Sequence, residues 1–212
     1  MFLQHQERLA RNASEAASYS PELSAPTPAE VTPTAAFIGD SYVAGGGASS
    51  PNEGWAALVS DKMGWEQSNH AIGGTGYFLK FEGAPNYAGV VPEVIAAAPE
   101  IVVVGGGQND FSSYRSNPAQ VEEEINNTYA ALRGGLPDAR IIAVGPSTPG
   151  QIDDAALGID EAVQRAAEAV GAEYVSLLDP NVITPEMVGP DGQHVGDAGH
   201  AAIAGRVRST LS

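Results

Sequence analysis

The chain has 212 residues, 43% of them hydrophobic, enough for one α/β domain with a substantial core plus a tail of roughly thirty residues, and short for a second full domain. Ten Lys and Arg stand against 26 Asp and Glu, a formal net charge of -16, which repels nucleic-acid phosphates and anionic membranes. Cysteine is absent, so disulfides, thiolate nucleophiles and cysteine-held metals are excluded.

Residues 1–33 read as a flexible tail: Ala, Ser, Glu and Pro dominate, with Pro21, Pro26, Pro28 and Pro33 closely spaced. Within it, Glu7 to Ala17 has the composition of a short helix. The opening residues lack the apolar core of a signal peptide, and no apolar run approaches the length that spans a bilayer. A soluble chain without stable membrane insertion is expected. Export to the medium or cell envelope, through a signal or anchor upstream of Met1, stays open.

From Thr34 the pattern changes to short apolar runs alternating with longer amphipathic stretches, the mark of βαβ units and a parallel sheet. Strands are predicted at Ala35–Ile38, Glu66–Asn69, Ile101–Val104, Arg140–Val144 and Glu173–Ser176, and helices at Trp55–Met63, Gly89–Ala97, Ala119–Leu132, Asp153–Val170 and Asp197–Leu211. Gly64, Gly134-Gly135 and Gly171 sit where helix C-terminal signals belong. The expected fold is a three-layer α/β/α sandwich over 34–212. In such sheets chemistry gathers at the carboxyl ends of strands, where strand order reverses. Polar, glycine-rich clusters lie at three such places: Gly39-Asp40-Ser41, Asn69 through Gly76, and Gly105 through Asp110.

Ser41 follows a buried strand and precedes Gly45-Gly46-Gly47, glycines that permit a sharp turn and a close approach of substrate. A serine hydroxyl needs a base and oxyanion donors to act as a nucleophile; the plainer role for Ser41 is a helix N-cap. Of the four histidines, His5 lies in the tail and His70 reads as a loop residue with local hydrogen bonds. Asp191/His194 and Asp197/His200 both have the Asp-x-x-His spacing in which the carboxylate can hold the imidazole Nδ1 proton. The first pair is preferred, because Asp197 stands where a helix N-cap is needed and His200 falls in the first turn. Asn109 can offer its side-chain amide to an oxyanion, together with the N–H groups of Ser41 and of Gly74 or Gly73. Alternatively, Asn109 and Asp110 cap a loop.

Taken together these residues resemble the SGNH, or GDSL, hydrolase superfamily over about residues 35–210. Ser41 matches its first block, Asn109 its third, and Asp191 with His194 its closing Asp-x-x-His. Counting five residues from Asn69 makes Gly74 the second-block glycine, with Gly73 the runner-up. Gln108 and Val195 depart from the usual residues at their positions without removing a reacting group. The resemblance implies a flavodoxin-like order of five parallel strands and a serine esterase without cofactor or metal. Its catalytic residues would be Ser41, His194 and Asp191, and its oxyanion hole Ser41, Gly74 and Asn109. Asp40 is expected to fix the serine turn and not to be the triad acid.

The substrate would be a small-molecule or carbohydrate ester with a short acyl group, often acetyl. Tyr42, Tyr77, Phe78, Phe111 and Tyr114 are candidate substrate contacts, in loops that also carry Lys80 and Arg115. Two other readings remain: an acyltransferase using the same acyl-Ser41, and a non-catalytic carbohydrate-binding domain on the same scaffold. A dinucleotide fold fails for want of Gly-x-Gly-x-x-Gly after a strand. The Gly-x-Ser-x-Gly elbow is also missing; Gly145-Pro146-Ser147-Thr148-Pro149 only imitates it.

Overall fold

Among the described residues the chain forms five strands: the largely apolar β1 Thr34–Gly39, the polar and mostly exposed edge strand β2 Glu66–Asn69, the apolar β3 Ile101–Gly105 and β4 Arg140–Val144, and the short β5 Glu173–Val175. The computed structural model describes residues 32–212; the helix expected at Glu7 to Ala17 lies outside the described residues. All strand pairings are parallel, in the order β2-β1-β3-β4-β5. Every residue of β3 is buried, as a central strand covered on both faces requires. Its side chains alternate: Val102 and Val104 join one core with Ala36, Ile38, Ile141 and Ala143, while Ile101 and Val103 join the other with Ala35, Phe37, Ile142 and Val144.

Six helices cover the two faces among the described residues: α1 Trp55–Met63, α2 Tyr87–Ala97, α3 Phe111–Ser116, α4 Pro118–Gly135, α5 Asp154–Ala169 and α6 Asp197–Leu211. Residues of α2, α4 and α5 complete the first core, and residues of α1 and α6 the second. Helix ends follow local chemistry. Asp153 caps α5 by accepting from the N–H groups of Ala155 and Ala156, and Gly64 ends α1 in the left-handed region at φ 68°. The expected stop at Gly134-Gly135 is corrected: α4 runs through both glycines. A side chain at Gly135 would collide with Ile95 of α2, so that glycine serves close helix packing. The fifth strand stops one residue early because Ser176 Oγ accepts from the N–H groups of Leu178 and Asp179, both at 3.2 Å, and turns the chain.

The chain runs from β1 outward to β2, then returns to place β3 on the other side of β1. The switch point is therefore the gap between the carboxyl ends of β1 and β3, from which Ser41 and Asn109 emerge. No helix of the described residues is long and apolar enough to cross a membrane.

Candidate active site

Gly39 ends β1, and the chain turns at once. Asp40 is fully buried and accepts from the N–H of Tyr42 at 2.9 Å and the hydroxyl of Tyr87 at 3.2 Å. Burial pushes its carboxyl up to about 6, against the lowering effect of the Tyr42 N–H and the Tyr87 hydroxyl. Asp40 thus braces the serine turn from below. The same turn continues with Gly46 N–H on Ser41 O at 2.6 Å.

Gly46 and Gly47 stand where the His194 loop meets the Ser41 turn. A Cβ on Gly46 would stand 3.1 Å from His194 Cδ2 and 3.3 Å from Ser41 Cβ. One on Gly47 would strike the Val195 carbonyl. Their bareness lets the His194 loop close onto the Ser41 turn.

His194 lies on a hairpin whose arms pair Val188 with Val195 and whose Gly189 N–H donates to His194 O at 2.7 Å. Asp191 Oδ1 accepts from the N–H groups of Gln193 and His194, both at 3.0 Å, and Oδ2 meets His194 Nδ1 at 2.6 Å. The Gln193 N–H, then the His194 N–H and imidazole, hold the Asp191 carboxyl well below the usual carboxylate range. A carboxylate on Nδ1 leaves Nε2 as the free nitrogen of a neutral ring. Ser41 Oγ and His194 Nε2 have no hydrogen-bond partner among the described residues.

The second Asp-x-x-His spacing is not a pair. Asp197 binds the Ser49 N–H at 2.8 Å and its hydroxyl at 2.7 Å. It occupies the first turn of α6 behind the cap residue Gly196, a correction to its expected capping role. His200 is fully buried. Its Nδ1 accepts from the Trp55 N–H at 3.3 Å, so Nε2 carries the proton that goes to Gly46 O at 3.0 Å. Burial pulls its pKa down, and both ring nitrogens are occupied. It holds the glycine turn in place.

Asn109 lies in a helical turn just past β3. Its side-chain amide donates to Thr75 O at 2.8 Å, which orients the group and leaves its second N–H free. Asp110, fully buried, gathers the N–H groups of Tyr77 at 2.7 Å, Phe78 at 3.3 Å and Leu79 at 2.8 Å. That exceeds a loop cap: it fastens the segment after β2 to the end of β3. Asn69 steadies the same side, donating to Val43 O at 3.0 Å and accepting from the Ala71 N–H at 3.0 Å. A Cβ on Gly73 would lie 3.7 Å from Ser41 Cβ, so this turn borders the serine. The N–H groups of Ser41, Gly73 and Gly74 have no acceptor among the described residues.

Ser41, Asn109 and His194 line one open cleft of about 290 Å³, whose walls include Tyr42, Gln108, Phe111, Ser147, Thr148, Pro149 and Gln193. Of the aromatic candidates, Phe111 and Tyr42 belong to it. The Tyr42 hydroxyl is committed to Gln193 O at 2.7 Å, so this residue ties the serine turn to the histidine hairpin. Tyr77 is a correction: it is fully buried in the core with its hydroxyl on Tyr129. Tyr114 packs against Gly158 and bonds Glu122 at 2.7 Å, and Phe78 lines a separate surface groove with Lys80 and Glu124. Arg115 is paired with Asp153. Ser147, Thr148 and Pro149 were missed as cleft residues, although the carboxyl-end rule applied to β4 points to them.

A second serine-histidine-carboxylate set exists. On edge strand β2, Ser68 Oγ meets His70 Nε2 at 2.9 Å, and His70 Nδ1 meets Glu93 Oε1 of α2 at 3.2 Å. The N–H groups of His70, Ala71 and Ile72 are spent on Phe37 O, Asn69 Oδ1 and Gly39 O. No oxyanion donor is left over beside it from these three residues.

Residues 37–202 match the model of the GDSL-like lipase/acylhydrolase family. The chain is 26% identical over 186 residues to a GDSL lipase of Mycobacterium tuberculosis, covering 84% of this chain and 80% of that protein. Its fold resembles the crystal structure of TesA, with a TM-score of 0.68 at 22% identity over 84% of this chain and 98% of the other. It also resembles an acetyl xylan esterase of the rumen bacterium Butyrivibrio proteoclasticus, with a TM-score of 0.67 at 18% identity over 87% of this chain and 64% of the other.

Proposed function

The chain belongs to the GDSL-like lipase/acylhydrolase family and is therefore an ester hydrolase, and we propose that it works as a serine esterase through an acyl-Ser41 intermediate. The observation that carries this reading is the convergence of Ser41, Asn109 and His194 on one cleft, with Asp191 on the far side of the imidazole. Ser41 Oγ attacks the ester carbonyl while His194 Nε2 takes its proton. Asp191 holds the tautomer and offsets the imidazolium charge. The oxyanion is met by the N–H groups of Ser41 and Gly74 and by the free amide N–H of Asn109. His194 then returns the proton to the departing alcohol, and water repeats the sequence on the acyl-enzyme. The serine–histidine hydrogen bond forms as substrate arrives, since such contacts commonly tighten only in the Michaelis complex.

The cleft favours a short acyl group on a neutral, hydroxyl-bearing alcohol. Its volume of about 290 Å³ lies at the small end of ligand sites, and among the described residues its walls carry no Lys, Arg, Asp or Glu. Gln108, Ser147, Thr148 and Gln193 offer neutral hydrogen bonds of the kind a sugar would use. The acetyl xylan esterase of similar fold makes acetylated carbohydrate the first substrate to try.

The test is turnover of 4-nitrophenyl acetate, its decanoate analogue and acetylated xylo-oligosaccharide by the wild type and by Ser41→Ala, with added acceptor alcohols in parallel. Acetate turnover abolished by the substitution supports the reading. Turnover retained by Ser41→Ala overturns the nucleophile, preference for decanoate overturns the short acyl pocket, and dominant transfer to acceptors replaces hydrolase by acyltransferase.

A further inference from the structure

Ile72, Gly73, Gly74 and Thr75 form a β-turn closed by the Thr75 N–H on Ile72 O at 3.3 Å. Gly74 has φ 78° while Gly73 is not in the positive region, which is the type II arrangement. The peptide joining the two glycines is the centre of this turn. With no Cβ on either side, it can flip toward the type I arrangement at little steric cost. A flip would swing the Gly74 N–H away from the direction it now takes, and no acceptor within the described protein holds that N–H in place.

What lies against the turn is the ring of Phe81. A Cβ built on Gly74 would stand 2.7 Å from Phe81 Cδ1 and 2.8 Å from Cγ, so the ring rests directly on the Gly74 backbone. Phe81 is 47% exposed, which makes its burial a weak reason for its position. Its own backbone is nevertheless firmly held: it pairs with Ala84, whose N–H reaches Phe81 O at 2.8 Å. Upstream, Gly76 N–H reaches Leu79 O at 2.9 Å, and the three N–H groups on Asp110 anchor the same loop.

We propose that Phe81 is a positioning residue that locks the Gly73–Gly74 peptide in the orientation its oxyanion role requires. This deepens, and rests on, the serine-esterase reading. Phe81 touches no reacting atom; it acts by excluding the flipped turn. Its loss would let the donor leave the oxyanion for part of the time, a milder defect than deletion of a donor, which costs about 10²–10³ in turnover.

The experiment compares wild type, Phe81→Ala and Phe81→Tyr with 4-nitrophenyl acetate, and measures the affinity of a trifluoromethyl ketone whose tetrahedral adduct places an oxyanion at the same point. Phe81→Ala is expected to lower kcat about tenfold with KM within about twofold, to weaken the ketone by the same factor as kcat/KM, and Phe81→Tyr to keep wild-type values. Unchanged kcat in Phe81→Ala, or a raised KM at unchanged kcat, overturns the proposal, the latter making the ring a wall for substrate. If Phe81→Ala does not fold, Phe81→Leu is read by the same criteria. Turnover surviving in Ser41→Ala instead overturns the serine reading itself, so the two failures are distinguishable.

Discussion

Two serine-histidine-carboxylate sets stand among the described residues, and they differ in an instructive way. The Ser68–His70–Glu93 set on the sheet edge is hydrogen-bonded from end to end, whereas in the Ser41 set only the Asp191–His194 half is closed. Connectivity alone would favour Ser68 over the proposed nucleophile Ser41. Around Ser41 stand unspent backbone N–H groups, an oriented Asn109 amide and a cleft; beside Ser68 the nearby N–H groups are consumed by the sheet and by Asn69. A proton relay makes an alkoxide, but stabilising the oxyanion that follows is usually the larger part of the barrier.

That contrast can be broken by paired substitutions. Ser41→Ala or His194→Ala should lower ester turnover by about 10⁴–10⁶, while Ser68→Ala and His70→Ala leave kcat/KM within about twofold; equal losses at both sites in one aryl acetate assay would erase the distinction. Asp191→Asn should cost about 10²–10⁴ in kcat by freeing the imidazole tautomer, and Glu93→Gln nothing measurable. Asn109→Ala should lose about 10²–10³ in kcat at nearly constant KM, and a change confined to KM would remove Asn109 from the oxyanion.

The smallest effect concerns the base of the serine turn and is read in stability. An unfolded Asp releases its proton near 3.8, while folded Asp40 holds it to about 6. Its contribution is therefore most favourable below the first value and is lost as pH rises through the second. Urea titrations of wild type and Asp40→Asn should show the variant gaining on the wild type between pH 4 and 7, by at most about 3 kcal/mol. A difference that does not vary with pH would mean that Asp40 is not the buried, proton-holding group described.

Much of the architecture was legible because it depends on local periodicity. The strand β3 had to be buried on both faces since Ile101 to Val104 are all apolar, and the boundaries of α1 and α6 followed from Gly64 and from the polar turn before Asp197. The Ser41, Asn109, Asp191 and His194 positions were legible as motifs. Less visible were features whose partner is remote in sequence. Gly135 resembles a helix stop until Ile95 is found against it, and Tyr77 resembles a loop aromatic until its ring is found on the core beside Tyr129.

The sequence by itself determined the fold class, the order of elements and the short list of groups able to carry the chemistry, because hydrophobic period, glycine placement and residue spacing are local properties. Only the tertiary structure decided how those groups are used. It gave Asp191 to His194 and Asp197 to Ser49, set His200 between the Trp55 N–H and the Gly46 carbonyl, brought Ser147 to the cleft and laid Phe81 on Gly74. Each of those outcomes turns on which hydrogen-bonding or packing partner arrives from another element, and no spacing along the chain encodes that.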